Sequence, residues 1–191
     1  MIEFILQNPD SEYGDSSSQN NMNVDQYLKI KPDWEPALED TTLNFHPLSI
    51  SQNSRLNPFG FIDFILPQLT EIEQRLKNKQ FAILKTTGDW TPTFFIFEPK
   101  DNITYFSALG LLPEPFSSYY PLTNSPMFIN GDINQQEELY NFIRLNPNDI
   151  TPDESYPDIK NIEFNTSQLI LSLTEQVKLG NELIEFLRKP S

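Results

Sequence analysis

Three short apolar runs joined by two turn sequences constrain the fold of this chain more than any other feature. The runs are rich in β-branched and aromatic residues and lie at 80–86, 93–98 and 103–107. Thr87–Trp90 and Pro99–Asn102 separate them and have turn composition. Because the turns are so short, neighbouring strands have to run in opposite directions. The sequence therefore predicts an antiparallel meander near 80–107.

Two segments on either side of the meander have helical periodicity. Apolar residues recur at intervals of three and four in both, near 58–78 and near 166–188. Asn57-Pro58 is a typical helix start, with asparagine as cap and proline at the first helical position. Pro67 predicts either a kink or a later start of the regular helix. Gly180 predicts either a close approach of another backbone or a break in the last helix.

These features predict an α+β fold, with the antiparallel sheet covered on one side by the two longer helices. The 191 residues suffice for one sizeable core and are few for two, so we expect a single domain over 1–191. A mobile loop is predicted at 8–25, because glycine, serine and asparagine dominate it. The remaining predicted elements are strands at 1–7, 27–30, 43–50 and 159–164, and a helix at 135–145 capped by Asn134.

The charge of the chain is strongly negative and unevenly distributed. The formal net charge is -14. Almost all of it comes from two acidic blocks, Met1–Ser54 and Asp132–Glu163. Direct binding to nucleic acid or to an anionic membrane is therefore disfavoured, and a basic partner is favoured. No apolar run is long enough to span a membrane, and the absence of cysteine fits a reducing compartment. We expect a cytoplasmic protein, monomeric or homodimeric.

No sequence motif indicates catalysis, a cofactor or a metal. His46 is the single histidine, and no Gly-x-Ser-x-Gly motif presents a serine to it. The run Asp132, Asn134, Gln136, Glu138 imitates calcium ligands, but the glycine at the sixth position and the later bidentate glutamate are missing. We interpret this run as a capped helix start. Phosphate-binding glycine loops are also absent from the sequence. We therefore predict no catalytic, cofactor-binding or metal-binding residue, and a protein that is not an enzyme.

The two acidic blocks supply the candidate binding residues. Carboxylates beside an exposed aromatic ring are a composition suited to binding arginine or lysine. The predicted partner-binding residues are Trp34, Glu35, Glu39, Asp40, Asp149, Asp153, Glu154 and Asp158. Small size, clustered acidity and the lack of a catalytic motif favour an inhibitor of the immunity or antitoxin type, which neutralises a basic protein such as a nuclease toxin.

Three alternatives stay open at this stage. In the first alternative, Trp34 belongs to the core and the acidic residues near it are only a solvated surface. The second is a structural or adaptor protein that binds through the proline- and aromatic-rich loop at 113–128. The third is an enzyme with an unfamiliar carboxylate pair, which requires one carboxyl group with a raised pKa.

Overall fold

The computed structural model describes residues 2–6, 8, 21–36, 42–45, 62–85, 94–109, 133–145 and 160–188. The strands in these ranges are β1 (Ile2–Leu6), β2 (Met22–Asn23), β3 (Thr42–Phe45), β4 (Ala82–Lys85), β5 (Phe94–Lys100), β6 (Ile103–Leu109) and β7 (Ile162–Asn165). The helices are α1 (Val24–Ile30), α2 (Ile62–Lys77), α3 (Ile133–Leu145) and α4 (Thr166–Leu187).

The larger sheet is the predicted meander with one further strand. Its order is β4-β5-β6-β7, and every neighbouring pair is antiparallel. Asp101 and Asn102 form the tight turn between β5 and β6, and Asp101 has a φ of 55°. Aspartate tolerates this left-handed conformation better than most residues. The α+β prediction is confirmed, including the meander.

One face of this sheet is covered by the two long helices, as predicted. The ring of Phe106 stacks on that of Phe95 with centroids 5.4 Å apart, and Phe97 lies 5.0 Å away on the other side. Leu69 of α2 and Leu173 of α4 belong to the same buried cluster and have no exposed surface. Burial of these rings and aliphatic chains is the main stabilising contribution to the fold.

The opposite face of the sheet is covered in part by α3. Ile83 and Ile96 point to this face because side chains alternate along a strand. With Phe81 and Phe94 they form a second buried cluster around Leu139 of α3. The sheet is thus apolar on both faces near β4, which explains the continuous apolar sequence of its central strands.

A second sheet of three strands, in the order β2-β1-β3, packs on α4. Two polar side chains of α4 bind the backbone of β1 directly. The Ser172 hydroxyl accepts from the Ile2 N–H at 2.6 Å and donates to the Ile2 carbonyl at 3.0 Å. The Gln176 Oε1 accepts from the Phe4 N–H at 2.9 Å. These side chains bind the backbone of β1 ahead of Ile5 and Leu6, the two residues that pair with β2.

Helix α4 is continuous from Thr166 to Leu187, so Gly180 does not divide it. Asn165 is its N-cap, and the Asn165 side chain accepts from the Gln168 N–H at 3.1 Å. Gly180 faces the side chain of Leu66 in α2. A Cβ at this position would lie 2.5 Å from Cδ2 of Leu66. The predicted close approach is therefore made by a side chain of the neighbouring helix, not by its backbone.

The predicted strand at 27–30 is wrong, because these residues belong to α1. Asn23 and Gln26 form a capping box: the Asn23 side chain accepts from the Gln26 N–H at 2.8 Å, and the Gln26 side chain accepts from the Asn23 N–H at 3.1 Å. This reciprocal pair satisfies two N–H groups of the first turn and starts the helix. Lys31 ends it in the left-handed conformation, with φ 49°.

Two other predictions need correction at their boundaries. The predicted mobile loop at 8–25 ends earlier than expected, since Met22–Asn23 is a strand and α1 begins at Val24. Asn134 does not cap α3, which already begins at Ile133.

Helix α2 runs through Pro67, so its regular part does not begin there. The predicted start at Asn57-Pro58, most of the 8–25 loop and the second half of the 43–50 strand lie outside the described residues.

Candidate functional site

Trp34 and Glu35 are the predicted binding residues that the structure describes, and they lie just after α1. The Tyr27 hydroxyl donates to the Trp34 carbonyl at 2.9 Å, and the two rings meet edge to face with centroids 5.1 Å apart. Phe186 of α4 contacts the other side of Tyr27 at 6.2 Å. Trp34 is half-buried and packs on the core. These contacts fit the first alternative, and a role of Trp34 in partner binding stays a prediction.

Both positive and negative side chains surround Tyr27 and Trp34, in the corner formed by α1 and the residues after it. Burial, and then the negative charge of Glu35, raise the pKa of Tyr27 above its ordinary value of 10.0. Tyr27 therefore remains a hydrogen-bond donor at neutral pH. Lys31 lies over the Phe186 ring, with its Nζ 5.5 Å from the centroid, and Lys29 pairs with Asp25 at 2.5 Å. Glu35 thus projects from a corner that contains cations as well as carboxylates.

The other six predicted binding residues are Glu39, Asp40, Asp149, Asp153, Glu154 and Asp158, and all lie outside the described ranges. The predicted surface therefore stays a prediction. His46, Asp132 and the proline- and aromatic-rich loop at 113–128 also lie outside those ranges.

The calcium-like run is helical where the structure describes it. Asn134, Gln136 and Glu138 all belong to α3, and Glu138 is exposed. A calcium loop places alternate residues around one ion, whereas side chains two apart on a helix diverge. Over the described residues, no group of three or more metal-ligating side chains converges. The interpretation of this run as the start of a helix is confirmed, apart from the cap.

One carboxylate of α2 is largely buried between two helices. Glu73 accepts hydrogen bonds from Lys77, at 2.8 Å, and from the Thr174 hydroxyl of α4. Burial acts to raise the pKa of Glu73, but these hydrogen bonds and the Lys77 charge outweigh it, and the pKa is lowered from 4.5. Glu73 is therefore ionised at neutral pH. The enzyme alternative expects the opposite shift for its acidic group.

A second charged side chain of α2 contacts both α3 and the residue that precedes β4. The Arg75 Nε donates to the Phe81 carbonyl at 2.5 Å, and its Nη2 donates to Glu137 of α3 at 2.6 Å. The sequence predicts i,i+4 pairs of Glu71 with Arg75 and of Glu73 with Lys77. The second pair is confirmed. The partnership of Arg75 with α3 was missed, because local spacing carries no information about a residue 62 positions away.

The larger sheet brings together three further residues that sequence reasoning missed. Glu98 of β5 is paired with Tyr105 of β6, and Tyr105 is paired with Glu163 of β7. We call this set the Glu-Tyr-Glu row. The turn at Asp101 and Asn102 would have predicted the pairing of Glu98 with Tyr105. No local signal predicts the pairing with β7, because Glu163 is remote in sequence.

Comparisons with protein-family models, with curated proteins and with solved structures give no match. In the described part of the chain, no helix is both long enough and apolar enough to cross a membrane. Function has to be inferred from the side chains and their geometry.

Proposed function

We propose that this protein binds a basic protein partner through carboxylates and neutralises it, as an inhibitor of the immunity or antitoxin type. The observation that carries the proposal is the distribution of charge. The described ranges contain 15 acidic and 11 basic residues, whereas the rest of the sequence contains 12 acidic and 2 basic residues. The described ranges thus carry a net charge of -4, and the other residues carry the remaining -10 of the net charge of -14.

Two of these acidic segments join the framework at the same end of the three-stranded sheet. Leu6, at the end of β1, pairs with Met22, and the neighbouring Ile5 pairs with Thr42. The chain between Leu6 and Met22 contains Asp10, Glu12 and Asp15, and the chain that enters β3 at Thr42 contains Glu39 and Asp40. Neither segment contains lysine or arginine. Their attachment at one end favours a local concentration of negative charge.

A concentrated negative field accelerates the encounter with a basic partner and disfavours acidic ones. It also makes the interaction sensitive to salt, because exposed charges are screened beyond about 10 Å at 0.1 M ionic strength. Both properties suit a protein that has to capture a toxic enzyme quickly. A basic nuclease presents the complementary surface, since its own substrate is a polyanion.

Affinity capture from native cell extract, at low and at moderate salt, tests the proposal. We expect one stoichiometric basic protein, identified by mass spectrometry, which is lost as salt rises. If the enriched protein is a nuclease, adding this chain should abolish its activity in a direct assay. Capture of a partner that salt does not affect, or of none, would contradict the proposal.

Association kinetics with the captured partner test which carboxylates act. We expect the variant Asp149→Asn, Asp153→Asn, Glu154→Gln, Asp158→Asn to associate more slowly at low salt and normally at high salt. The matched control removes the same number of charges from exposed positions of the framework, through Asp101→Asn, Glu138→Gln, Glu175→Gln and Glu185→Gln. Equal slowing of both variants would assign the effect to total charge and remove the 149–158 segment from the binding surface.

A further inference from the structure

Among the described residues, α3 covers only part of the face of the larger sheet on which it lies. Leu139 of α3 packs on Ile83 and Ile96, near β4. The Glu-Tyr-Glu row follows Ile96 on the same face, because Glu98 is two residues further along β5. Glu163 is exposed and Tyr105 is half-buried. A tyrosine ring flanked by two carboxylates therefore faces solvent beside the covered part of the sheet.

The three side chains are available for a ligand. Within the described structure, none of Glu98, Tyr105 and Glu163 makes a side-chain hydrogen bond or a salt bridge. Side chains directly opposite each other on antiparallel strands have Cβ atoms about 5 Å apart, so one ring separates the two carboxylates. Lys100, in the next row on this face, is exposed and also makes no salt bridge. Neither carboxylate therefore forms a salt bridge with Lys100.

We propose that the Glu-Tyr-Glu row binds an arginine side chain of a basic protein partner. A guanidinium is planar, stacks on aromatic rings and donates hydrogen bonds from several edges. Placed over Tyr105, it can make a cation–π contact while its N–H groups donate to Glu98 on one side or Glu163 on the other. Lysine has a compact ammonium that cannot stack in this way. This inference rests on the proposed function and adds a contact on the folded framework to it.

The test is a backbone-amide NMR titration of the full chain at low salt with acetyl-Gly-Arg-Gly-amide, and with its lysine counterpart. We expect saturable shifts of the Glu98, Tyr105 and Glu163 amides, with the arginine peptide binding more tightly. The variant Glu98→Gln, Glu163→Gln should weaken binding at the row by about tenfold, because it removes both carboxylates to which the guanidinium can donate. Tyr105→Leu should weaken it by about threefold, whereas Tyr105→Phe keeps the ring and should bind normally.

The control variant Glu175→Gln, Glu185→Gln removes the same charge from the exposed side of α4. If it weakens binding at the row as much as Glu98→Gln, Glu163→Gln does, the row is not a specific site. Amide shifts confined to the acidic segments would overturn the proposal that the Glu-Tyr-Glu row binds arginine, but would leave the proposed function standing. No shift at the row would overturn the row as a site, whereas the capture experiment tests the proposed function independently. Equal binding of the two peptides would overturn the assignment to arginine.

Discussion

Arg75 and Glu73 lie two residues apart on α2, and their surroundings explain why the fold tolerates buried charge there. Each ionised group is compensated by hydrogen bonds from or to another element: Thr174 of α4 donates to Glu73, and Arg75 donates to the Phe81 carbonyl ahead of β4. A buried charge without such a partner lowers the free energy of unfolding by several kcal/mol. The direction in which a substitution at either residue changes stability can therefore be predicted.

Replacing Glu73 with glutamine should lower the free energy of unfolding at neutral pH. Because the folded pKa lies below the ordinary 4.5, the carboxylate stabilises the fold above that pH, and this contribution disappears as pH falls through the folded pKa. The difference between wild type and Glu73→Gln should therefore shrink below pH 4.5 in urea titrations. Glu175→Gln, an exposed change of the same kind, should show little difference at any pH. A constant difference would contradict the assignment.

Replacing Arg75 with methionine should destabilise the protein by about 2–4 kcal/mol, because the buried Phe81 carbonyl loses its donor and a buried contact between elements is lost. The partner change Glu137→Gln should cost less than about 1 kcal/mol, because that carboxylate is half-exposed. Denaturant unfolding of both variants measures the asymmetry. Equal costs would mean that the ion pair, rather than the carbonyl contact, determines the effect.

Element by element, the sequence predicted what depends on local pattern and missed what depends on distant contacts. Strands β4 to β6 and helices α2 and α4 follow from alternation and from 3–4 periodicity. The four residues 27–30 are too few for periodicity to distinguish helix from strand, and the capping box of Asn23 and Gln26 was the signal that decides between them. Ser172 and Gln176 are polar residues at buried positions, so periodicity could not have assigned them a role.

Gly180→Ala should destabilise the contact between α2 and α4. Alanine gains up to about 1 kcal/mol in helix propensity. Against this, its Cβ would lie 2.5 Å from the side chain of Leu66, which is itself buried, and overpacking typically costs about 1–3 kcal/mol. We expect a net loss in urea unfolding. In a Leu66→Ala background the same change should be stabilising, and a double-mutant cycle with no coupling would disprove the contact.

Removing the side chains that bind β1 should loosen that strand locally. Ser172→Ala leaves the N–H and the carbonyl of Ile2 without their partner, and Gln176→Leu does the same to the Phe4 N–H, at about 1–3 kcal/mol each. Amide hydrogen exchange should accelerate at Ile2 and Phe4, while amides of β5 and β6 keep their protection. Glu175→Ala, an exposed change on the same helix, is the control and should leave β1 protected. Unchanged exchange in β1 would refute this role.

At the scale of the whole molecule, the dominant property is an excess of carboxylates that is unevenly distributed along the chain. The described framework holds most of the cations, and the segments between its elements hold most of the surplus carboxylates. The sequence predicted where the charge lies along the chain. It could not predict which acidic residues come together in space, since this depends on register, as Glu98 and Glu163 on either side of Tyr105 illustrate.

Such an excess of one charge should make the fold more stable as salt is added. Mutual repulsion among carboxylates opposes the compact state, and salt screens it. We expect Tm to rise with sodium chloride, and to rise less in the variant that neutralises the four residues from Asp149 to Asp158. Differential scanning calorimetry measures both. A Tm that falls with salt would mean that attractive ion pairs, such as Glu73–Lys77, dominate over repulsion.

The hydrogen bonds between α4 and β1 also have a consequence for biosynthesis. Ser172 is synthesised 170 residues after Ile2, which takes about 10 to 30 s at about 5–20 residues per second. Until α4 emerges from the ribosome, β1 has apolar side chains without a core and backbone N–H groups without acceptors. Such a strand is a binding site for chaperones and for other nascent chains. β1 is therefore released from this exposure only when translation has passed α4.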